Sequence, residues 1–131
     1  MNQQATAAQK SPAVTITIPA LNEGEQYAGI VLKDGAPSHH LILLPGDLDD
    51  TTWAKAQAWA KEQGGELPTR QEQSLLFANA KQHFQSDWYW SGETHASYAG
   101  CAWIQGFGGG GQGDGRKDSG YRARAVRRLV I

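Results

Sequence analysis

Two kinds of hydrophobic pattern follow one another along the chain, and the first predicts β-structure. Val14–Ile18 consists of β-branched residues and predicts a short strand. Gln26–Lys33 and His39–Leu44 predict the two strands of a hairpin, because Asp34-Gly35 between them is a dipeptide that a type I′ turn favours. The first third of the chain is therefore predicted to be β.

From Asp50 onward the apolar residues recur at the spacing of an amphipathic helix. The residues that share the apolar face of this first helix are Trp53, Ala56, Trp59 and Ala60. We expect Asp49 or Asp50 to cap its N-terminus and Gly64-Gly65 to end it. One helix is thus predicted directly after the β-rich third.

A capping motif predicts the second helix. In the run from Thr69 to Glu72, the Thr69 side chain can accept the backbone N–H of Glu72 while the Glu72 carboxylate reaches back to Thr69. The apolar stripe predicted to face a sheet consists of Leu76, Ala80 and Phe84, widened by Leu75 and Phe77.

The last third predicts strands again, with a glycine-rich stretch among them. Trp88–Trp90 and Ala102–Phe107 favour two central strands, and Tyr121–Ile131 favours a final one. Residues 106–120 contain eight glycines and are interpreted as a long loop. This order predicts an α+β fold in which two helices pack on an antiparallel sheet, with the Gly-rich loop before the last strand.

The composition is that of one ordered domain. The chain has 131 residues, 40% of them hydrophobic, and a formal net charge of -1, which excludes a highly charged disordered chain. The single cysteine, Cys101, excludes an internal disulfide and is predicted to be a buried, inert thiol. No signal peptide or membrane-spanning run is recognisable, so we expect synthesis in a bacterial host cytoplasm and no membrane partner.

Aromatic residues concentrate between Trp88 and Trp103, and flat rings with polar edges suit sugar rings or protein hot spots. Core packing is the competing interpretation, because alternation places Tyr89 opposite Trp88 and Trp90, so that one side of this strand is predicted to be core. The Gly-rich loop adds polar side chains, either as a ligand-ordered loop or as a solvated linker. The predicted ligand-binding residues are Trp90, Trp103, Gln105, Asp114, Arg116 and Lys117.

Binding of nucleotides or nucleic acid is not favoured. Gly106–Gly111 formally fits the dinucleotide motif G-x-G-x-x-G, but further glycines follow and no helix can begin there. A P-loop is excluded because Arg116 precedes Lys117, and Asp118 stands where Ser or Thr is required. Residues 106–131 carry six basic and two acidic side chains, yet arginines on an edge strand more often serve solubility and ion pairing.

No catalytic or metal site is predicted. Ser91, Glu93 and His95 are close in sequence, but no G-x-S-x-G motif surrounds the serine and nothing positions the three groups against a substrate. The histidines and Cys101 lack the close paired spacings of zinc sites, and no dense run of carboxylates surrounds Asp114 as calcium would require. We therefore expect neither a metal nor a cofactor.

Several motifs, taken in order, resemble a known family. They are Gly65–Arg70 (GELPTR), Trp88–Glu93 (WYWSGE), Ala102–Phe107 (AWIQGF) and Arg122–Arg127 (RARAVR). Over roughly residues 50–128 the chain resembles the Lcl carboxy-terminal domain family. Its members are small modules of largely unknown function, common in bacterial surface proteins, phages and prophages.

The resemblance implies a C-type-lectin-like fold for residues 50–131, preceded by a flexible segment at 1–12 and an added β segment with the hairpin at 13–49. Disulfides frequent in C-type lectins cannot form with Cys101 alone, and Ala125 stands where relatives often carry Cys. The Glu-Pro-Asn and Trp-Asn-Asp triplets of calcium-dependent sugar binding are also missing. Calcium-dependent lectin activity is therefore not expected.

These observations lead to two hypotheses of function. The first is a non-catalytic phage or prophage module, virion-associated as in a tail or fibre, that recognises a host surface glycan or protein. Weak single sites need several copies, so this hypothesis predicts a homo-oligomer, with other virion proteins as further partners. The alternative is an intracellular prophage protein that binds and modulates a host protein.

Overall fold

A computed structural model describes residues 15–131, which form an α+β fold with two helices and two sheets. The strands are β1 (Gln26–Lys33), β2 (Ala36–Leu43), β3 (Leu48–Thr51), β4 (Trp88–Thr94), β5 (Cys101–Gly106), β6 (Gln112–Arg116), β7 (Tyr121–Ala123) and β8 (Val126–Val130). Helices α1 (Trp53–Glu62) and α2 (Arg70–Ala80) lie between β3 and β4, and a 3₁₀ turn (Lys81–His83) follows α2. One sheet has the order β1-β2-β8 and the other the order β3-β7-β4-β5-β6.

The predicted hairpin is confirmed as β1 and β2. The strands pair antiparallel, and Asp34 and Gly35 have φ angles of 52° and 78°, as a type I′ turn requires. The predicted strand at Val14–Ile18 is not formed by residues 15–18, which are irregular and lack a strand partner within residues 15–131. Val14 and the segment 1–12 lie outside the described residues.

Both helices are confirmed, but the predicted cap of α1 is wrong. Asp49 and Asp50 belong to β3, a strand that the sequence analysis missed, and Thr52 occupies the N-cap position without a side-chain hydrogen bond. The capping box of α2 is present, because Thr69 Oγ1 accepts the N–H of Glu72 and the Glu72 carboxylate accepts the N–H of Thr69. The start of α2 is therefore fixed by its own sequence.

Two cores lie on opposite sides of β4. Tyr89 packs in the core between α2 and the β1-β2-β8 sheet, whereas Trp90 packs in the core beneath α1. Alternation predicted only one core side for this strand. Both residues are fully buried because β4 is central and covered on both faces, while Trp88 at its start is 39% exposed.

The C-terminal third differs from the prediction in three respects. The Gly-rich stretch contains strand β6, and the predicted last strand is two strands, β7 and β8, in different sheets. Arg124 lies between them and donates to the carbonyls of Leu44 and His83, which holds the chain where it passes from one sheet to the other. Strand β7 pairs with β4 in parallel, so the larger sheet is mixed rather than antiparallel.

A buried ionic cluster joins the N-terminal and C-terminal parts of the chain. Arg128 on β8 donates two hydrogen bonds of 2.7 Å to Glu72 on α2, and His39 on β2 contacts the same carboxylate at 2.7 Å. Burial alone would raise the pKa of Glu72, but hydrogen bonds from Arg128 and Thr69 outweigh it and hold the pKa below its ordinary value.

No helix in residues 15–131 is long and apolar enough to cross a bilayer.

A second ion pair should make stability depend on pH in the acidic range. Arg127 donates two hydrogen bonds to Glu25, at 2.7 and 2.8 Å, and with the N–H of Asn22 they lower the pKa of Glu25 from 4.5 to about 2. The stabilisation is present above pH 4.5 and is lost as the pH falls toward 2.

We expect Glu25→Gln to lower the free energy of unfolding by about 1–3 kcal/mol at neutral pH and to flatten its decline in acid. Urea unfolding between neutral pH and pH 2 measures both effects, with the exposed Glu23→Gln as the matched control. A decline in acid that is equally steep in Glu25→Gln would contradict the assignment.

Candidate functional site

Two of the predicted ligand-binding residues belong to the core. Trp90 is fully buried, its indole N–H donates to the carbonyl of Thr51 at 2.7 Å, and its ring packs edge-on against Tyr121. Gln105 is also buried and donates to the carbonyl of Gly106. The interpretation of Trp90 and Gln105 as ligand contacts is therefore wrong, because both side chains belong to the interior.

Three of the other predicted residues share one face of the β5–β6 pair. Trp103 lies directly opposite Asp114, and Cys101 lies opposite Arg116, so these side chains point to the same side. Arg116 forms an exposed ion pair with Asp118. Lys117 follows in the turn, where its ammonium group lies 4.3 Å from the ring centre of Trp53 rather than beside Trp103.

The structure adds three residues to Trp103. The guanidinium carbon of Arg70 lies 3.5 Å from the ring centre of Trp103, and the ring of His95 stacks on Trp103 with centroids 4.8 Å apart. Tyr98 in turn lies 4.8 Å from His95 and is 61% exposed. We call Arg70, His95, Tyr98, Trp103 and Asp114 the Trp103 surface.

A hydrogen-bond network holds Arg70 in place. The Nε of Arg70 donates to the side-chain oxygen of Gln112 at 2.9 Å, and the Gln112 amide donates to the carbonyl of Arg70 at 2.9 Å. The same amide donates to buried Gln105 at 2.9 Å. The backbone N–H of Arg70 donates to Glu93 at 2.7 Å, so α2, β4, β5 and β6 all fix this residue.

An open groove adjoins this network. Its volume is about 620 Å³, and the lining side chains carry hydroxyl, amide, carboxylate and guanidinium groups: Thr69, Arg70, Gln71, Ser74, Glu93 and Gln112. Aromatic rings beside a polar groove are a combination that fits hydroxylated ring ligands, because the rings offer apolar contact and the polar groups direct hydrogen bonds.

The three side chains considered for catalysis have structural roles. Ser91 is buried and its Oγ accepts the N–H of Glu93 at 3.1 Å. The Nδ1 of His95 accepts the backbone N–H groups of Ser97 and Tyr98 at 3.0 and 3.2 Å. No hydrogen bond within residues 15–131 joins His95 to Ser91 or Glu93.

The remaining candidate chemistry is sparse. Within the described part of the chain, no group of three or more His, Cys, Asp or Glu residues is arranged to hold a metal ion. Cys101 is free and only half-buried, which corrects the prediction of a buried thiol. It is the first residue of β5 and lies on the same face as the partly exposed Trp103 and the exposed Arg116.

Sequence reasoning missed Arg70 and Tyr98 and considered His95 only for catalysis. Arg70 is held by Gln112 on β6, while His95 and Tyr98 lie in the connection between β4 and β5 and contact Trp103 and each other. The signal for β6 was present: Gln112-Gly113-Asp114-Gly115-Arg116 alternates polar residues with glycine, the period of a strand. Gly115 is required, because a Cβ there would lie 2.5 Å from the ring of Tyr121. The high glycine content instead favoured the interpretation of this segment as a loop.

Compared with known proteins, the sequence matches no protein-family model and no curated protein.

Removing the side chain of Gln112 should loosen this surface. We expect Gln112→Ala to reduce the free energy of unfolding by about 1–3 kcal/mol, because it leaves buried Gln105 without its hydrogen-bond partner. The exposed Asp114→Ala on the same strand is the control, with an expected change within about 0.5 kcal/mol. Urea unfolding measures both, and equal effects would contradict the network.

Proposed function

We propose that the protein is a non-catalytic binding module of a phage or prophage that recognises a host surface glycan through the Trp103 surface. The observation that carries the proposal is the continuous series of contacts from exposed Tyr98 through His95 and Trp103 to Arg70. Rings held by their neighbours lose little conformational freedom when a ligand binds, so preformed surfaces of this kind favour recognition.

The groove beside Arg70 supports a glycan as the ligand. Sugars present both a C–H face and a ring of hydroxyl groups, and the site offers rings on one side and donors and acceptors on the other. The guanidinium of Arg70 has no carboxylate within 4.0 Å among residues 15–131, so its terminal N–H groups remain able to donate to a ligand.

A C-type-lectin-like fold and membership of the Lcl carboxy-terminal domain family are parts of this proposal; the α+β arrangement is consistent with that fold, and the sequence resemblance is the basis for the family. Two helices followed by Trp-bearing strands are the arrangement that the resemblance implies. On this proposal the protein is made in the host cytoplasm and incorporated into a virion, where several copies act together. Multivalent display raises the avidity of a weak site without any new contact.

A protein ligand is the second candidate. Arg70, Tyr98 and Trp103 are the three residue types that dominate hot spots in protein interfaces. This observation favours the alternative of an intracellular prophage protein that binds and modulates a host protein with the same surface.

An array of bacterial surface glycans tests the first candidate, with and without EDTA. We expect binding that survives EDTA, and we expect Trp103→Ala and Tyr98→Ala to reduce it at least about tenfold, which corresponds to about 1.4 kcal/mol. Ile18→Ala is the matched control, because Ile18 is an exposed apolar residue of the segment before β1 and belongs neither to the Trp103 surface nor to the groove.

The outcomes separate the candidates. Binding that requires a divalent cation, or that Ile18→Ala weakens as much as Trp103→Ala does, would contradict the proposal. Absence of glycan binding by folded protein, together with capture of a host protein that Tyr98→Ala abolishes, would establish the second candidate instead.

A further inference from the structure

Four glycines in the Gly-rich stretch are not required by the fold. Gly106 and Gly115 lie under aromatic rings, and Gly110 has a φ of 87° with a ring 2.7 Å from any added Cβ. In contrast, a Cβ on Gly109 or Gly111 would meet no atom within 4 Å, and one on Gly108 or Gly113 would make ordinary contacts of 3.8 and 4.0 Å. None of these four has a left-handed φ.

Three of these four, Gly108, Gly109 and Gly111, line a trough that contains the exposed Trp88. The trough has a volume of about 480 Å³, and Ser86, Asp87 and Gly106 complete its lining. The ring of Trp88 lies against Gly106, since a Cβ there would be 3.3 Å from the ring, and it touches the edge of Gly113. One side of the indole is thus supported by backbone, and the side chain is still 39% exposed.

The trough offers directed hydrogen-bonding groups. The backbone N–H groups of Gly108, Gly109 and Gly111 donate no hydrogen bond within residues 15–131, so they are able to donate to a ligand. The carboxylate of Asp87 is held by the N–H of Trp88 at 2.8 Å and by Arg122 at 3.2 Å, and it is half exposed. A ring ligand over Trp88 would meet both the glycine donors and the Asp87 acceptor, since all of them line the same trough.

The charged side chains around the trough disfavour the binding of an anionic ligand. Arg122 lies beside the trough and is shared by Asp87, Asp47 and Asp49 at 3.2, 3.0 and 3.5 Å, and Arg124 also interacts electrostatically with Asp47. Three carboxylates and two guanidinium groups leave one local negative charge. An acidic sugar would be repelled there, whereas a neutral one would not.

We propose that Trp88 with Gly108, Gly109 and Gly111 forms a second binding site, for a neutral pyranose. The sugar's C–H face stacks on the indole, its oxygens accept the glycine N–H groups, and a hydroxyl donates to Asp87. The absence of side chains at the three glycines keeps the trough open and the peptide groups accessible. The site lies on the opposite face of the β4–β5 pair from Trp103, so it stands independently of the Trp103 surface.

Nuclear magnetic resonance of the full chain tests this site, with cellotriose and chitotriose as neutral probes and a galacturonate trimer as the acidic comparator. We expect saturable millimolar binding of a neutral probe, seen as shifts of the Trp88 indole N–H and of the amides of Gly108, Gly109 and Gly111. The acidic trimer should produce no saturable shifts at these positions.

Four variants show whether the chemical-shift changes arise from binding in the trough. Gly109→Gln fills the trough and should abolish them, while Gly100→Gln, whose Cβ also meets no atom within 4 Å but lies elsewhere, should leave them unchanged. Trp88→Ala should abolish them and Trp103→Ala should not. The proposal is overturned if neither neutral probe binds saturably, if the shifts survive in Gly109→Gln, or if the acidic trimer binds better. Because Trp103→Ala is scored separately, failure here leaves the Trp103 surface untouched.

Discussion

The buried carboxylate of Glu72 is the interaction on which the arrangement of this protein depends. A buried charge is strongly unfavourable unless it is paired, and Glu72 is paired from three directions: the cap of α2, Arg128 on β8 and His39 on β2. Satisfying it requires that the helix start, the C-terminal strand and the hairpin meet at one point. Segments far apart in sequence are thereby fixed relative to one another, with a specificity that apolar packing alone does not supply.

The position of the candidate site follows from that constraint. Because Glu72 fixes the first turn of α2, the backbone of Arg70 at the start of that helix is fixed as well. The Arg70 guanidinium then lies over the ring of Trp103 on β5. Gln112 then completes the connection from β6 by hydrogen bonds to both Arg70 and Gln105. Hydrogen bonds between the polar side chains beneath it therefore hold the Trp103 surface, so its rings are in place before a ligand binds.

Local signals in the sequence were sufficient for the hairpin, the capping box and both helices, because turn residues and helical periodicity act over a few positions. They did not predict the elements whose formation depends on contacts between residues far apart in the sequence. Strand β3 has only four residues and pairs with β7, about seventy positions away along the chain. The passage of the chain from β7 in one sheet to β8 in the other depends on hydrogen bonds from Arg124 to carbonyls of distant segments. For the site, the sequence identified Trp103 and Asp114, yet the burial of Trp90 depends on α1 covering that face of β4.

Glycine has two different roles within one short stretch, and the difference carries functional information. Where a ring lies on the backbone, as at Gly106 and Gly115, glycine is a packing requirement and its presence says nothing about ligands. Where no neighbour and no left-handed φ demands it, as at Gly109 and Gly111, the missing side chain exposes backbone to solvent at an entropic cost. Packing therefore accounts for the first group, while access to the indole of Trp88 accounts for the second. Trp88 and Trp103 lie on opposite faces of the β4–β5 pair, so one copy cannot place both on the same flat target.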